Sequence, residues 1–234
     1  MAPRPLLVFD FDGTLADTWR DLATALNRTL GDEGLPLLDG PEVKFWIGHG
    51  VRPLLERAVP GAEPGRLEQL YARFAAHYER GCLDTTRLYD GIEACLAACG
   101  RADLAVASNK PAAFLLPMVE RLGIASHFRV VFGGDSLTAR KPDPAVLHEV
   151  AARVAHDGFR RGERSERAGV APKASSIWMI GDSGVDVATG RAAGARTIGC
   201  AWGLRGREEL ADAGCEHLVE HPSEIPELVL DFLS

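Results

Sequence analysis

A short uninterrupted apolar run, Leu6–Phe9, is cut off by the polar, glycine-containing stretch DFDGT at 10–14. Such a run closed by a turn predicts a buried strand that ends in a loop. The pattern then turns helical for about seventy residues. Residues 16–30 carry Leu22, Ala25, Leu26, Thr29 and Leu30 at helical spacing, and Gly31 and Gly34 stop them. Pro41 opens a short helix over 41–47, Gly48 and Gly50 break it, and 51–59 resumes with Pro53 in its first turn. Pro60-Gly61 and Pro64-Gly65 read as turns. Residues 66–80 then place Leu67, Leu70, Tyr71, Phe74, Ala75 and Tyr78 on one stripe.

From Tyr89 onward strand and helix patterns alternate. Strands are expected at 104–107, 129–132, 177–180 and 197–200, and helices at 92–99, 111–122, 144–156, 185–193 and 207–213. This alternation predicts an α/β fold, a Rossmann-like, doubly wound parallel sheet with helices on both faces. The helical block interrupts it, so residues 1–15 and 90–234 are expected to form the core and 16–89 an inserted α-helical module. No internal repeat is visible. The connection 156–173 is long, with Arg160, Arg161, Arg164 and Arg167 interleaved with Glu163 and Glu166. It reads as a solvated surface loop, with a partner or anion contact as the alternative.

Composition narrows the partners. Lys and Arg number 26 against 33 Asp and Glu, a net charge of −7. That balance argues against a general nucleic-acid or anionic-membrane binder and leaves room for a local anion pocket. No apolar run approaches the roughly 20 residues of a membrane span, and the N-terminal run is too short for a signal peptide. The five cysteines, Cys82, Cys95, Cys99, Cys200 and Cys215, contain no CxxC pair. Cys95 and Cys99 could share a helical face, but buried free thiols are the better reading, and a cytoplasmic location is expected.

The candidate chemistry sits in four loops, each after an expected strand. Asp10 and Asp12 follow the first. Two carboxylates there raise each other's pKa unless a cation compensates them, and strand ends are where α/β sheets bind ligands. Ser108, Asn109 and Lys110 follow the second strand, where a hydroxyl, an amide and a helix start form an anion cradle or simply a turn. Lys141 lies in RKPDP, held extended by Pro142, with Asp143 and Pro144 as N-cap and N1 of the next helix. It could hold a phosphate oxygen, though a lone lysine is more often solvated. Asp182 and Asp186 in GDSGVD lie one helical turn apart and suit a hard cation, or else cap a helix. Coincidence across all four loops is a poor explanation.

DFDGT, the SN of SNK, the lysine of RKPDP and GDSGVD together resemble the four motifs of the haloacid dehalogenase superfamily, and the resemblance runs over nearly the whole chain. The inserted helices resemble that superfamily's first type of cap. Within them DLATALNRTLGDEGLP and WIGHGVRPLLERAV are similar to the phosphoglycolate phosphatase branch. The resemblance implies a phosphoric monoester hydrolase working through an aspartyl-phosphate, with Asp10 as nucleophile and Asp12 as general acid/base. It implies that Thr14, Ser108, Asn109 and Lys141 hold the phosphoryl group. It further implies Mg²⁺ bound by Asp10, the backbone carbonyl of Asp12 and Asp182, with Asp186 supporting it directly or through water. An aspartate at position 12 favours phosphate esters over the dehalogenase and phosphonate-cleaving relatives.

The expected substrate is a small phosphorylated metabolite, phosphoglycolate foremost, for a monomer or homodimer with no nucleic-acid or membrane partner. His49 and Arg52 are the cap candidates for specificity, Arg52 as partner of a substrate carboxylate, against a structural histidine and a surface salt bridge. Trp19, Phe45 and Trp46 read as cap core rather than substrate shelf, and Trp202-Gly203 borders the site or merely packs. Two departures from the branch stand out: Tyr89-Asp90-Gly91, where relatives usually have a proline before the glycine, and the long 156–173 connection. A phosphosugar mutase, another small-molecule phosphatase (nucleotide or pyrophosphate) and a catalytically silent phosphate-binding regulator stay open as alternatives.

Overall fold

The computed structural model describes residues 4–156, 159–160, 163–164 and 173–232. The first strand, β1 (Leu6–Phe9), is followed by a two-residue strand, β2 (Ala16–Asp17), and four helices: α1 (Trp19–Asp32), α2 (Gly40–Lys44), α3 (Val51–Ala58) and α4 (Pro64–Gly81). The chain returns through β3 (Arg87–Leu88). There follow α5 (Ile92–Ala98), β4 (Asp103–Ala107), α6 (Ala112–Arg121), β5 (Val130–Phe132) and α7 (Ala145–His156). A small hairpin, β6 (Phe159–Arg160) with β7 (Glu163–Arg164), precedes β8 (Ile177–Gly181), α8 (Gly184–Ala192), β9 (Arg196–Cys200), α9 (Gly206–Asp212), β10 (His217–Val219) and α10 (Glu224–Phe232).

Six strands form one parallel sheet in the order β10-β9-β8-β1-β4-β5. With β1 at its interior, both faces of that strand must be apolar, which explains why LLVF does not alternate. Leu7 and Phe9 join the cluster packed by α5, α6 and α10, while Leu6 and Val8 join the one packed by α7. All four side chains are fully buried, each contributing about 2 kcal/mol of transfer free energy.

The helical block leaves and rejoins this core where β2 and β3 pair antiparallel, Ala16 opposite Leu88 and Asp17 opposite Arg87. α1 packs along α4, and Phe74 stacks on Tyr78 with ring centroids 5.6 Å apart. Tyr78 reaches the core as well, edge-on to Phe114 of α6 at 5.2 Å.

The structure departs from the expected pattern at several points. The helix expected at 16–30 starts only at Trp19, because Ala16 and Asp17 are taken by the pairing with β3. Pro64-Gly65 is not a turn but the first turn of α4, where proline lacks only an N–H that is unpaired there anyway. β10 and α10 were not expected. Of the arginine-rich connection, most lies outside the described residues; the hairpin strands β6 and β7 are the described part, with His156 and Lys173 at its ends. The five cysteines are free thiols, four of them buried. Among the described residues no helix is long and apolar enough to cross a membrane.

Candidate active site

β8, β1 and β4 are neighbours running the same way, so the residues that follow them share one edge of the sheet. Asp10 follows β1, Ser108 follows β4, and Asp182 follows β8. The backbone anchors the first carboxylate: Asp10 N donates to Ile180 O at 2.9 Å, and Phe11 N donates to Asp10 Oδ1 at 2.7 Å. Asp186 enters from the first turn of α8. Its Oδ2 accepts from Ser183 Oγ at 2.6 Å and Ser183 N at 3.2 Å, so it caps the helix and faces the site at once.

Asp10, Asp182 and Asp186 each offer an oxygen within 4.8 Å of the others, and all three residues are buried. The ammonium of Lys141 stands among them, 2.9 Å from Asp10 Oδ1 and 2.7 Å from Asp186 Oδ1. Asp182 is held apart from the lysine by Leu204 N, which donates to its Oδ2 at 2.7 Å, and by Thr14 Oγ1, which donates to its Oδ1 at 3.3 Å. Gly13 lies so close that a Cβ there would run into this carboxylate, and its φ of +86° disfavours any other residue.

Three acids against one lysine leave the cluster short of positive charge. Burial pushes Asp10 up to about 6; Lys141 pulls the other way and Asp186 adds to the rise. Burial also holds Asp182 well above the usual carboxylate range, with Asp186 and Asp10 adding to it. Burial would depress Lys141, but Asp10 and Asp186 outweigh that and keep its ammonium charged. A buried all-oxygen donor set with unmet negative charge fits a hard divalent cation.

Asp12 points elsewhere. Its carboxylate is outside the three-acid cluster and accepts from Thr18 Oγ1 at 2.6 Å and from Lys110 Nζ at 2.9 and 3.3 Å. Lys110 is buried and lies over the Tyr78 ring, 4.7 Å from its centroid. Thr18, Lys110 and Tyr78 were not singled out by the sequence reading as site residues. A lysine directly after Ser-Asn at a strand end was the available signal; Thr18 and Tyr78 carried none beyond helix start and apolar stripe.

Asp10, Asp12, Ser108, Asn109 and Lys110 form the core side of a cleft whose other side is Leu22, Ile47, Gly48, Gly50, Val51 and Leu54 from the helical block. Ser108 lines the cleft, its Oγ accepting from Lys110 N at 3.3 Å. The Asn109 side chain is engaged structurally: it donates to Gly48 O at 3.1 Å and Lys141 O at 3.0 Å and accepts from Lys141 N at 3.1 Å. An amide bound on both ends fixes the two loops around the site rather than reaching for an anion.

The two cap candidates are not brought to the cleft wall. Arg52 turns outward, ion-paired with the exposed Glu68 and lying over Tyr71. His49 is half-buried with Nδ1 lacking a protein partner; burial, then Arg57 and Arg205, lower its pKa and keep it neutral. Trp19 and Trp46 pack on the hydrophobic core, whereas Phe45 is exposed, contrary to the expectation of a core residue. Trp202 does border the site, its Nε1 donating to Thr14 O at 3.1 Å.

The same architecture occurs in known proteins. The crystal structure of a predicted phosphoglycolate phosphatase from Haemophilus somnus superposes with a TM-score of 0.83 at 26% identity, covering 97% of this chain and 99% of that one. The phosphoglycolate phosphatase of Colwellia psychrerythraea is 32% identical over 220 residues, 90% of each chain. That of Cereibacter sphaeroides is 33% identical over 236 residues, 98% of this chain and 100% of its own. The haloacid dehalogenase-like hydrolase model matches residues 7–200, which spans all four motif loops and the helical block between the first two, and the chain belongs to that family.

Proposed function

We propose that this chain is a Mg²⁺-dependent phosphatase that hydrolyses a small phosphate monoester, with phosphoglycolate as the leading substrate, through an aspartyl-phosphate on Asp10. The observation that carries the reading is the buried grouping of Asp10, Asp182 and Asp186, with Lys141 paired to Asp10 and Asp186 and with Asp12 beside it on the cleft. The relatives named phosphoglycolate phosphatase support the substrate.

Asp10, Asp182, the backbone carbonyl of Asp12 and Asp186 would hold Mg²⁺, which neutralises charge on the phosphoryl oxygens when bound. An Asp10 oxygen attacks phosphorus as the bond to the leaving oxygen breaks, and Asp12 gives that oxygen a proton. Asp12 then takes a proton from the water that attacks the aspartyl-phosphate, and inorganic phosphate leaves with Asp10 restored. Lys141 and Ser108 hold phosphoryl oxygens during both steps. The helical block closes over the leaving group and excludes bulk water.

Phosphate release from phosphoglycolate, sugar phosphates, nucleotides and pyrophosphate, with and without Mg²⁺, tests this. Metal-dependent preference for phosphoglycolate is expected. Broad, weak hydrolysis would retain the phosphatase and discard the substrate; no release from any of them would discard both.

A further inference from the structure

We propose that Lys110 binds the carboxylate of the leaving fragment and is the residue that selects carboxylate-bearing monoesters. The proposal rests on the phosphatase reading above and deepens it.

The cleft has one sided chemistry. From the helical block it receives the apolar side chains Leu22, Ile47, Val51 and Leu54 and the backbone of two glycines. Among the described residues that line it, Lys110 is the one cation. Lys141 is committed to Asp10 and Asp186 on the phosphoryl side. A monoester whose leaving group carries a carboxylate adds a further negative charge next to Asp12, and an apolar wall cannot compensate it.

The position of Lys110 meets that need. A leaving oxygen must come within hydrogen-bond reach of Asp12 to receive its proton. In a 2-carboxymethyl ester the carboxylate carbon is two bonds beyond that oxygen. Lys110 Nζ is 2.9 Å from Asp12 Oδ1, so a group that close to Asp12 falls within reach of the ammonium. The ammonium also lies over the faces of Tyr78 at 4.7 Å and Phe11 at 5.9 Å. Aromatic faces hold a cation in place without competing for it as an anion does. Lys110 can therefore be shared between Asp12 and a second carboxylate, whereas Arg52 already faces solvent with Glu68.

The experiment compares kcat/KM for phosphoglycolate and for ethyl phosphate, which keeps the two-carbon leaving group and lacks the carboxylate, in the Mg²⁺-loaded wild type, Lys110→Met and Lys110→Arg. Because Lys110 also touches Asp12, both rates fall in Lys110→Met; the informative quantity is their ratio. The preference for phosphoglycolate is expected to drop on the order of a hundredfold in Lys110→Met, mostly through KM, and to be largely kept in Lys110→Arg. Lys110→Gln replaces the methionine variant if circular dichroism shows the latter unfolded. An equal loss on both substrates overturns the proposal and leaves Lys110 a positioning residue for Asp12, as does a wild type with no preference between them. A wild type that releases phosphate from neither overturns the phosphatase reading itself.

Discussion

The ammonium of Lys141 stands 2.9 Å from the carboxylate of Asp10, although one residue precedes α7 and the other follows the first strand. Folding brings a cation into the middle of an acid group that would otherwise repel itself. Lys141→Met removes that cation and keeps the volume. Losing one partner of a buried ion pair is strongly destabilising, and a loss of about 3–5 kcal/mol is expected in the metal-free protein. Mg²⁺ should then raise the melting temperature of the variant more than that of the wild type, while phosphate release falls on the order of a thousandfold. An equal Mg²⁺ response in both proteins would contradict the charge argument.

Asp10 and Asp12 are two positions apart in sequence and face different surroundings, one the acid cluster and the other Lys110. Asp10→Asn is expected to lower turnover on the order of 10⁴-fold or more while the fold is kept. Asp12→Asn should cost roughly 10²–10⁴-fold with phosphoglycolate. With 4-nitrophenyl phosphate, whose leaving group needs no proton, the first step survives in Asp12→Asn. Intact-protein mass spectrometry should then detect a phosphorylated protein that Asp10→Asn never forms.

A cation held by the acid cluster would compete with protons for the same oxygens. Burial raises Asp10 from 3.8 to about 6 in the metal-free protein, so the native state binds a proton more readily than the unfolded chain. The associated stability is fully present below about 3.8 and is lost as pH rises through about 6; Asp182 shifts in the same direction. A divalent cation favours the deprotonated forms, so its stabilisation should grow as pH rises through about 6. Melting temperatures with Mg²⁺ and with EDTA, at about pH 4.5 and about pH 7.5, measure this; a Mg²⁺ shift that is the same at both values would refute it.

Much of this was readable from the chain because each strand of the core is a short apolar run ended by a chemically distinctive loop. Asp10, Ser108, Lys141 and Asp182 needed only strand order to meet. Lys110 and Thr18 were not legible in that way, since their meaning depends on where the Asp12 side chain turns, which no spacing encodes. Asn109 looked like an anion ligand because an amide after a strand suits one; its engagement with Gly48 and Lys141 comes from loops far apart in sequence. Arg52 lies one turn past the cleft-lining Gly48 and Gly50, but helical phase turns it toward Glu68 on α4. β10 and the β2–β3 pair are only three and two residues long, too short for any period to declare them.

Where the helical block rejoins the core, one carboxylate gathers the returning strand. Asp21 in the first turn of α1 accepts from Thr85 N, Thr86 N and both threonine hydroxyls, at 2.7–3.1 Å. Asp21→Ala would strand buried donors beside β3, and a loss of about 3 kcal/mol is expected. For a chain of this size that is a fall of roughly 6–12 °C in melting temperature. A fall of less than about 2 °C would mean that water replaces the carboxylate there.

The 47–50 loop of the helical block is tied to the core from two sides, and the two ties should fail differently. Arg205 Nη2 donates to Ile47 O at 2.6 Å, and Asn109 Nδ2 donates to Gly48 O at 3.1 Å. The backbone comes close as well, since a Cβ on Gly50 would sit 3.1 Å from Asn109 O. Arg205 makes its bond only while the loop lies on the core, and it hydrogen-bonds none of the strand-end carboxylates, touching Asp182 only through its charge, so Arg205→Ala weakens closure. Its KM for phosphoglycolate should rise about tenfold with kcat changed less than about threefold. Asn109 also holds both the N–H and the C=O of Lys141, so Asn109→Ala loosens the ammonium that faces Asp10. Its kcat should fall on the order of tenfold or more even at saturating substrate. Steady-state kinetics on the two variants separates closure from positioning, and identical profiles would show that the loop contacts and the lysine loop act as one unit.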